Sequence, residues 1–442
     1  MDVEEFARRH LGEGTPGPET AVLLAGRIRE IKNCTQEYAL RFAQAVVEEA
    51  LNTTDVESEF VSYLPSGVSM GEFGVGSRGS GDFFAHRQFP KIIGKKDVSV
   101  GVDEMDDAGA VEADGKYIIT TVDGMHSRLS DFPFLAGFHV TRATLRDCYV
   151  MGAMPVALLS DIHVADDGDV AKIFEYTAGI SAVADAMQVP LVTGSTLRIG
   201  GDMVLGDRMT GCVGAVGVAE HLTDRKSTQA GDVLLMTEGA GGGTIATAAL
   251  YSGFPEVVDK TINLSFLKAC EALIGSDVLN RVHTMTDVTN GGLRGDVYEM
   301  AETADCRIIV EEENLRSLVE PEVLAMLDAL DIDYLGVSLD ALLVVAPPDV
   351  ADEIIEIVAS VGIRMARIGF VEEGAAEPLL RTAEGDVDFV PRFRESAYTP
   401  VKKVVDTQMS DFDVMKEAVE AAADRAVAKK ERVLEYLQQK IQ

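Results

Sequence analysis

From Asp103 to Pro155 the chain reads DEMDDAGAVEADGKYIITTVDGMHSRLSDFPFLAGFHVTRATLRDCYVMGAMP. Three acidic points interrupt otherwise apolar structure: Asp106-Asp107 running into the small Ala108-Gly109-Ala110, Asp123 closing YIITTV, and Asp147 inside TLRDCYVMGAMP. A carboxylate beside buried surface is costly unless something cationic compensates it. Three such intrusions together point to a convergent anionic cluster, whose usual partner is Mg²⁺ carrying polyphosphate. Within the helical pattern Phe138–Met151, the neighbours of Asp147 three and four positions away are Ala143, Thr144, Val150 and Met151. A salt bridge to Arg142 or Arg146 accounts for that one aspartate as well as a metal does. Taken jointly, the three acids favour the metal.

Outward from this stretch, strand and helix patterns alternate, which places the chain in the α/β (α+β) class. Strand-like runs fall at Val98–Val102, Tyr117–Val122, Ala157–Ile162, Leu191–Thr193 and Thr210–Val218, with a further helical stretch at Asp169–Met187. The polar segment Glu220–Ala230 (EHLTDRKSTQA) reads as a linker, after which GDVLLMTEG restarts the pattern in a second domain ending near Val390. Residues 19–52 read as a helix through Val22, Leu23, Ile28, Ile31, Tyr38, Phe42, Ala45, Val46 and Ala50. Near the C-terminus Met415, Val419, Ala422, Ala426, Val433, Leu437 and Ile441 share one helical face, expected to dock on the chain's own body or on a sister subunit. The expected organisation is a helical extension over 1–60, a glycine-rich lid over 61–96, domains over 97–222 and 228–392, and an amphipathic helix over 405–442.

The 442 residues carry 73 acidic against 39 basic side chains, a net charge of −34. That balance argues against nucleic-acid binding and against attraction to anionic membranes. It also means that an anionic substrate needs local positive charge or a metal to approach. No apolar run reaches spanning length and MDVEEFARRH does not resemble a signal peptide, so a cytoplasmic protein is expected. Cys34, Cys148, Cys212, Cys270 and Cys306 lack paired spacing, which suggests reduced, mostly packed thiols. GxxxxGK[ST] and HExxH are both absent, which removes P-loop nucleotide hydrolysis and one common hydrolase chemistry.

Gly74-Val75-Gly76-Ser77-Arg78-Gly79 matches GxGxxG, but no strand precedes it and no apolar helix follows, as a dinucleotide fold requires. A lid is the better reading, with backbone N–H groups and Arg78, His86 or Arg87 able to meet phosphate. A disordered loop fits these residues equally well. Met285-Thr286-Asp287-Val288-Thr289 followed by Gly291-Gly292 places an aspartate after a strand and glycines before a helix, where phosphate is favoured. An N-capping turn accounts for the same pattern. Thr193-Gly194-Ser195-Thr196 is a similar hydroxyl-rich turn.

In this order the pieces resemble a superfamily containing aminoimidazole ribonucleotide (AIR) synthetase, the hydrogenase maturation dehydratase, selenophosphate synthetase and thiamine-monophosphate kinase. The matching pieces are Asp106-Asp107-Ala108 with Ala110-Val111, Thr120–Gly124, Arg146–Pro155, Gly194-Ser195-Thr196, Gly231-Asp232-Val233 and Asp287–Leu293, over about residues 97–390. The resemblance implies a two-domain α/β fold whose N-terminal domains pair into a dimeric β-barrel, with ATP near the interface. It further implies Asp107, Asp123, Asp147 and Asp287 as Mg²⁺ ligands, with Asp106 in support. Thr121, Gly194, Thr196, Gly291 and Gly292 would line the phosphates, and Asp123 and Asp147 would carry the chemistry. The chain departs from its relatives in having no C-terminal cysteine (it ends LEYLQQKIQ), no cysteine in the glycine-rich loop, and Thr193-Gly194-Ser195 where a second glycine and an acid or histidine are usual.

The expected activity is ATP- and Mg²⁺-dependent phosphorylation or activation of a small-molecule substrate by a homodimer. A regulatory or assembly factor that binds nucleotide without turnover is the alternative, and structural cation binding is a third.

Overall fold

The computed structural model describes the chain apart from residues 55, 290, 396–397, 406–410 and 442 and the side chain of Ile441. Strands β1 (Gly109–Ala113), β2 (Lys116–Gly124), β3 (Met154–Val164), β4 (Leu191–Arg198) and β5 (Met209–Ala219) form a first sheet. Its order is β1-β2-β5-β3-β4, antiparallel except at the β3/β4 edge. Side chains alternate across a strand. One face, with Ile119, Leu158, Ile162, Val213 and Ala215, is buried under the helices Pro133–Val150 and Ala171–Met187. The opposite face leaves Val111, Val122, Met154 and Leu159 exposed. The register puts Val122, Gly214 and Leu159 in one row and Val111, Ile118, Val218 and Met154 in another. The sheet is open in the single chain and ends at edge strands β1 and β4.

The second sheet contains β6 (Val233–Thr237), β7 (Thr284–Val288), β8 (Arg307–Glu311), β9 (Ala341–Ala346), β10 (Met365–Glu372), β11 (Glu377–Thr382) and β12 (Gly385–Asp388). Its order is β12-β11-β8-β10-β6-β9-β7. β6, β7 and β9 are buried throughout; β6 and β9 are apolar almost end to end, whereas β7 (TMTDV) carries Thr284, Thr286 and Asp287 into the interior. Alternate β6 residues belong to two cores: Val233 and Leu235 share a core with the first sheet, whereas Leu234 and Met236 face a separate one. The helix Pro133–Val150 lies between the sheets, touching β2, β5 and β7, so it is buried nearly all round.

Several expectations are corrected. The helix expected over 19–52 is two, Gly17–Ile31 and Gln36–Asn52, because Lys32 turns extended and Thr35 caps the second by accepting from the Tyr38 N–H. Val22, Leu23, Ile31 and Tyr38 are exposed, and the helices pack instead through Leu24, Ile28, Ala43 and Val46. The strand expected over 98–102 is a single bridge, Val100 to Ala110, followed by a 3₁₀ turn at Val102–Glu104. The supposed linker Glu220–Ala230 carries a fully buried arginine, Arg225, and is part of the site.

The glycine-rich segment holds three short helices, Met70–Phe73, Ser80–His86 and Phe89–Ile93. The C-terminal helix Phe412–Ile441 covers them: Phe412 packs on Phe73, Lys91 pairs with Glu420 at 2.6 Å, and Met415 and Ala423 are buried. Its expected apolar face docks only in part, since Leu437 remains exposed and Ile441 lies outside the described side chains.

Candidate active site

A cavity of about 900 Å³ opens between the sheets and the glycine-rich segment, and Asp106, Asp107, Thr121, Asp123, Asp147 and Asp287 all line it. Strand alternation turns Thr121 and Asp123 of β2 toward the helix Pro133–Val150, while Val122 points away to the exposed face. The Thr121 hydroxyl donates to Asp147 at 3.1 Å, fixing one of its oxygens. The three acidic points of the sequence therefore meet in one cavity.

Four arginines enter the same space. Arg225 is bonded from every nitrogen of its guanidinium: Nε and Nη2 to Thr286 Oγ1, Nη1 to the Met105 carbonyl and Glu299, and Nη2 to Asp107 at 2.7 Å. Its backbone N–H donates to Asp106 at 2.8 Å. Arg142 donates to the carbonyls of Thr261, Asn263 and Gly241 and to Asp340. Arg146 grips Asp287 through Nε and Asp340 through Nη1. Arg78, from the glycine-rich segment, stands 3.8 Å from Glu299. The salt bridge from Arg142 or Arg146 to Asp147 does not form; these arginines take Asp340 and Asp287 instead.

Asp123 and Asp147 are consequently the two carboxylates of the cavity with no ion-pair partner among the described residues. Burial and the neighbouring Asp287 and Asp123 carboxylates push Asp147 well above the ordinary carboxylate range. Burial likewise raises Asp123, partly offset by Arg146. Asp106 is pushed up to about 6 and Asp107 to about 7, again chiefly by burial and despite Arg225. A half-buried pair of mutually repelling carboxylates fits a divalent cation. Among the described residues no group of three or more His, Cys, Asp or Glu side chains is arranged to hold a metal ion, because Arg225 and Arg146 draw Asp107 and Asp287 to themselves.

The remaining expected ligands are placed differently. Gly194 and Thr196 lie exposed on edge strand β4 and do not line the cavity. Gly291 and Gly292 open the helix Gly292–Ala304 at φ +104° and +64°. A Cβ on Gly292 would lie 2.4 Å from the Leu335 carbonyl, and one on Gly291 would lie 2.8 Å from the Arg78 Cβ. Both positions are closely packed, with Gly291 against Arg78 of the glycine-rich segment. N–H groups of the glycine-rich segment are also taken: Gly76 and Arg78 donate to the buried Asp82 carboxylate at 2.9 and 2.8 Å. Arg78 and His86 line the cavity, whereas Arg87 turns away to Glu302.

Arg225, Asp296, Glu299 and Asp340 escaped the sequence reading. Asp296, 3.9 Å from Arg225, and Glu299 had a usable signal, two acids one turn apart beside the apolar Val297, Met300 and Ala301. Asp340, at φ +56°, sits just before β9 in a left-handed conformation that few non-glycine residues adopt.

Comparison with known proteins agrees with this architecture. Residues 105–219 match the AIR synthase related protein N-terminal domain, and residues 229–379 match its C-terminal domain. A protein of Methanocaldococcus jannaschii, described as uncharacterized, is 50% identical over 455 residues, covering 100% of this chain and 99% of its own. The selenide, water dikinase of Myxococcus xanthus is 29% identical over 230 residues, which span 51% of this chain and 63% of the dikinase. A solved structure of the hydrogenase maturation protein HypE in complex with ATP superposes with a TM-score of 0.53 at 18% identity, covering 69% of this chain and 92% of that one. The two matched domains, in order and over both sheets, place this chain in the AIR synthase related family.

Proposed function

We propose that this protein is an ATP- and Mg²⁺-dependent enzyme that phosphorylates or activates a small-molecule substrate, acting as a cytoplasmic homodimer. The observation that carries the reading is the pair Asp123 and Asp147, which face one cavity without a cationic partner among the described residues, while Asp106, Asp107, Asp287 and Glu299 each have an arginine. The dikinase relative and the ATP bound to HypE support a nucleotide as the ligand. Bound Mg²⁺ would neutralise charge on the phosphates and help align donor and acceptor.

The chain's own residues do the rest. Thr121 orients Asp147, and Asp106 holds the Arg225 backbone so that its side chain reaches Asp107. Asp107 and Asp287 would complete the metal's ligands while staying paired with Arg225 and Arg146. Gly291 and Gly292 bring the helix N-terminus beneath the lid, where the dipole favours phosphate. In a chain of net charge −34, and a cavity whose acids outnumber its arginines, bound Mg²⁺ together with Arg146 would supply the positive charge that an anionic substrate needs.

Homodimerisation is supported by the uncovered apolar face of the first sheet, since a patch of this kind on a chain of such charge calls for a partner surface. Gly194 and Thr196, remote from the cavity of a single chain, would contact phosphate only across such a dimer. The direct test is turnover of Mg·ATP with cell metabolites. Asp147→Asn is expected to abolish it while the protein stays folded, and unchanged turnover would overturn the assignment.

A further inference from the structure

The arginines of the cavity differ in how completely the protein satisfies them. Arg225 spends all three guanidinium nitrogens on protein acceptors. Both terminal nitrogens of Arg142 are bonded to carbonyls or to Asp340. These two are internal struts. Arg146 is bonded only through Nε and Nη1, and its Nη2 has no hydrogen-bond partner among the described residues.

Its setting is otherwise rigid. Asp287 holds Nε and Asp340 holds Nη1, and the Phe266 ring lies 5.6 Å from the central carbon of the guanidinium. Asp340 is itself fixed by Arg142 and by a backbone N–H bond to the Val288 carbonyl at 2.9 Å. Arg146 lines the cavity, adjoins Asp147 in sequence and feels the charges of both Asp147 and Asp123. A guanidinium clamped on two nitrogens and open on the third is a preorganised donor pair beside the carboxylates lacking cations.

Resting on the nucleotide reading above, we propose that Arg146 is a catalytic residue that donates through Nη2 to the terminal phosphate of the bound nucleotide. Its fixed positive charge stands where a further metal ion would otherwise be needed, and it stabilises charge on the phosphoryl group during transfer. Arg142 and Arg225 take no such part, because their donors are already committed.

The test is calorimetric titration of the full chain with a non-hydrolysable ATP analogue and, separately, with ADP, both with Mg²⁺. Wild type is expected to prefer the triphosphate. Arg146→Gln is expected to weaken the triphosphate analogue at least tenfold while changing ADP affinity less than threefold, removing the preference. Arg146→Lys, which keeps the charge but not the fork, is expected to retain part of it and covers the case in which the glutamine variant folds poorly. Equal weakening of both nucleotides by these variants would show a structural role and overturn this proposal alone. Wild-type protein that binds neither nucleotide would overturn the parent reading together with it.

Discussion

Asp147 illustrates how one residue can be costly to the fold and useful to the site. Its carboxyl is raised by burial and by Asp287 and Asp123, so folding works against its ionised form. Asparagine keeps the shape and the acceptor for Thr121 without the charge. Asp147→Asn should therefore leave the thermal midpoint of metal-free protein unchanged or raise it, even as activity is lost; a midpoint lower by several degrees would contradict this. The neighbouring pair sets a pH dependence. Asp106 at about 6 and Asp107 at about 7 both lie above the ordinary 3.8 of an unfolded aspartate. The native state thus holds these protons more tightly, and stability falls as pH rises from about 4 through about 7. Thermal melts of metal-free protein should give a lower midpoint at pH 8 than at pH 6, and added Mg²⁺ should narrow the gap. A midpoint that rises across this range would show that these groups do not govern it.

At the scale of elements, the segment Glu220–Ala230 is the instructive case. Its composition is that of a linker, yet its one central arginine closes the space between the Met105–Asp107 turn, β7 and the helix Gly292–Ala304. Arg225→Met removes the partner of Asp107 and Glu299 and strands both in a buried site, which should cost about 3–5 kcal/mol in denaturant unfolding. A loss below about 1 kcal/mol would mean that the acids are satisfied some other way. This arrangement also marks how far the sequence could be read. The strand ends bearing Asp123 and Asp287, and the helix bearing Asp147, announce themselves by periodicity, because an acid in an apolar pattern is a local signal. Pairings such as Arg225 with Asp107 or Arg146 with Asp340 join residues far apart in the chain, and no spacing records them. The break between the two N-terminal helices was missed because the apolar pattern runs on through Ile31 and Tyr38, and only the cap at Thr35 betrays it.

At the scale of the whole molecule, the two sheets share a core around the helix Pro133–Val150, so the cavity is built by both domains at once. The outer face of the first sheet remains apolar and bare, with Leu159 and Val122 in one row. Leu159→Glu places a charge in that face, and sedimentation is expected to report a dimer for the parent chain and a monomer for the variant; a dimer in both would put the interface elsewhere. The C-terminal helix locks the glycine-rich segment from outside through Phe412 and Glu420, so access to the cavity runs past a segment that this helix holds in place.

All of these scales meet in one question, whether Asp123 and Asp147 hold a divalent ion at a nucleotide. The most direct measurement is binding of a non-hydrolysable ATP analogue to wild type and to the double variant Asp123→Asn/Asp147→Asn, each in Mg²⁺ and in EDTA. Wild type should lose at least a hundredfold in affinity when EDTA replaces Mg²⁺, and the double variant should bind weakly in both. Affinity that is indifferent to the metal, or to the loss of both carboxylates, would contradict the account.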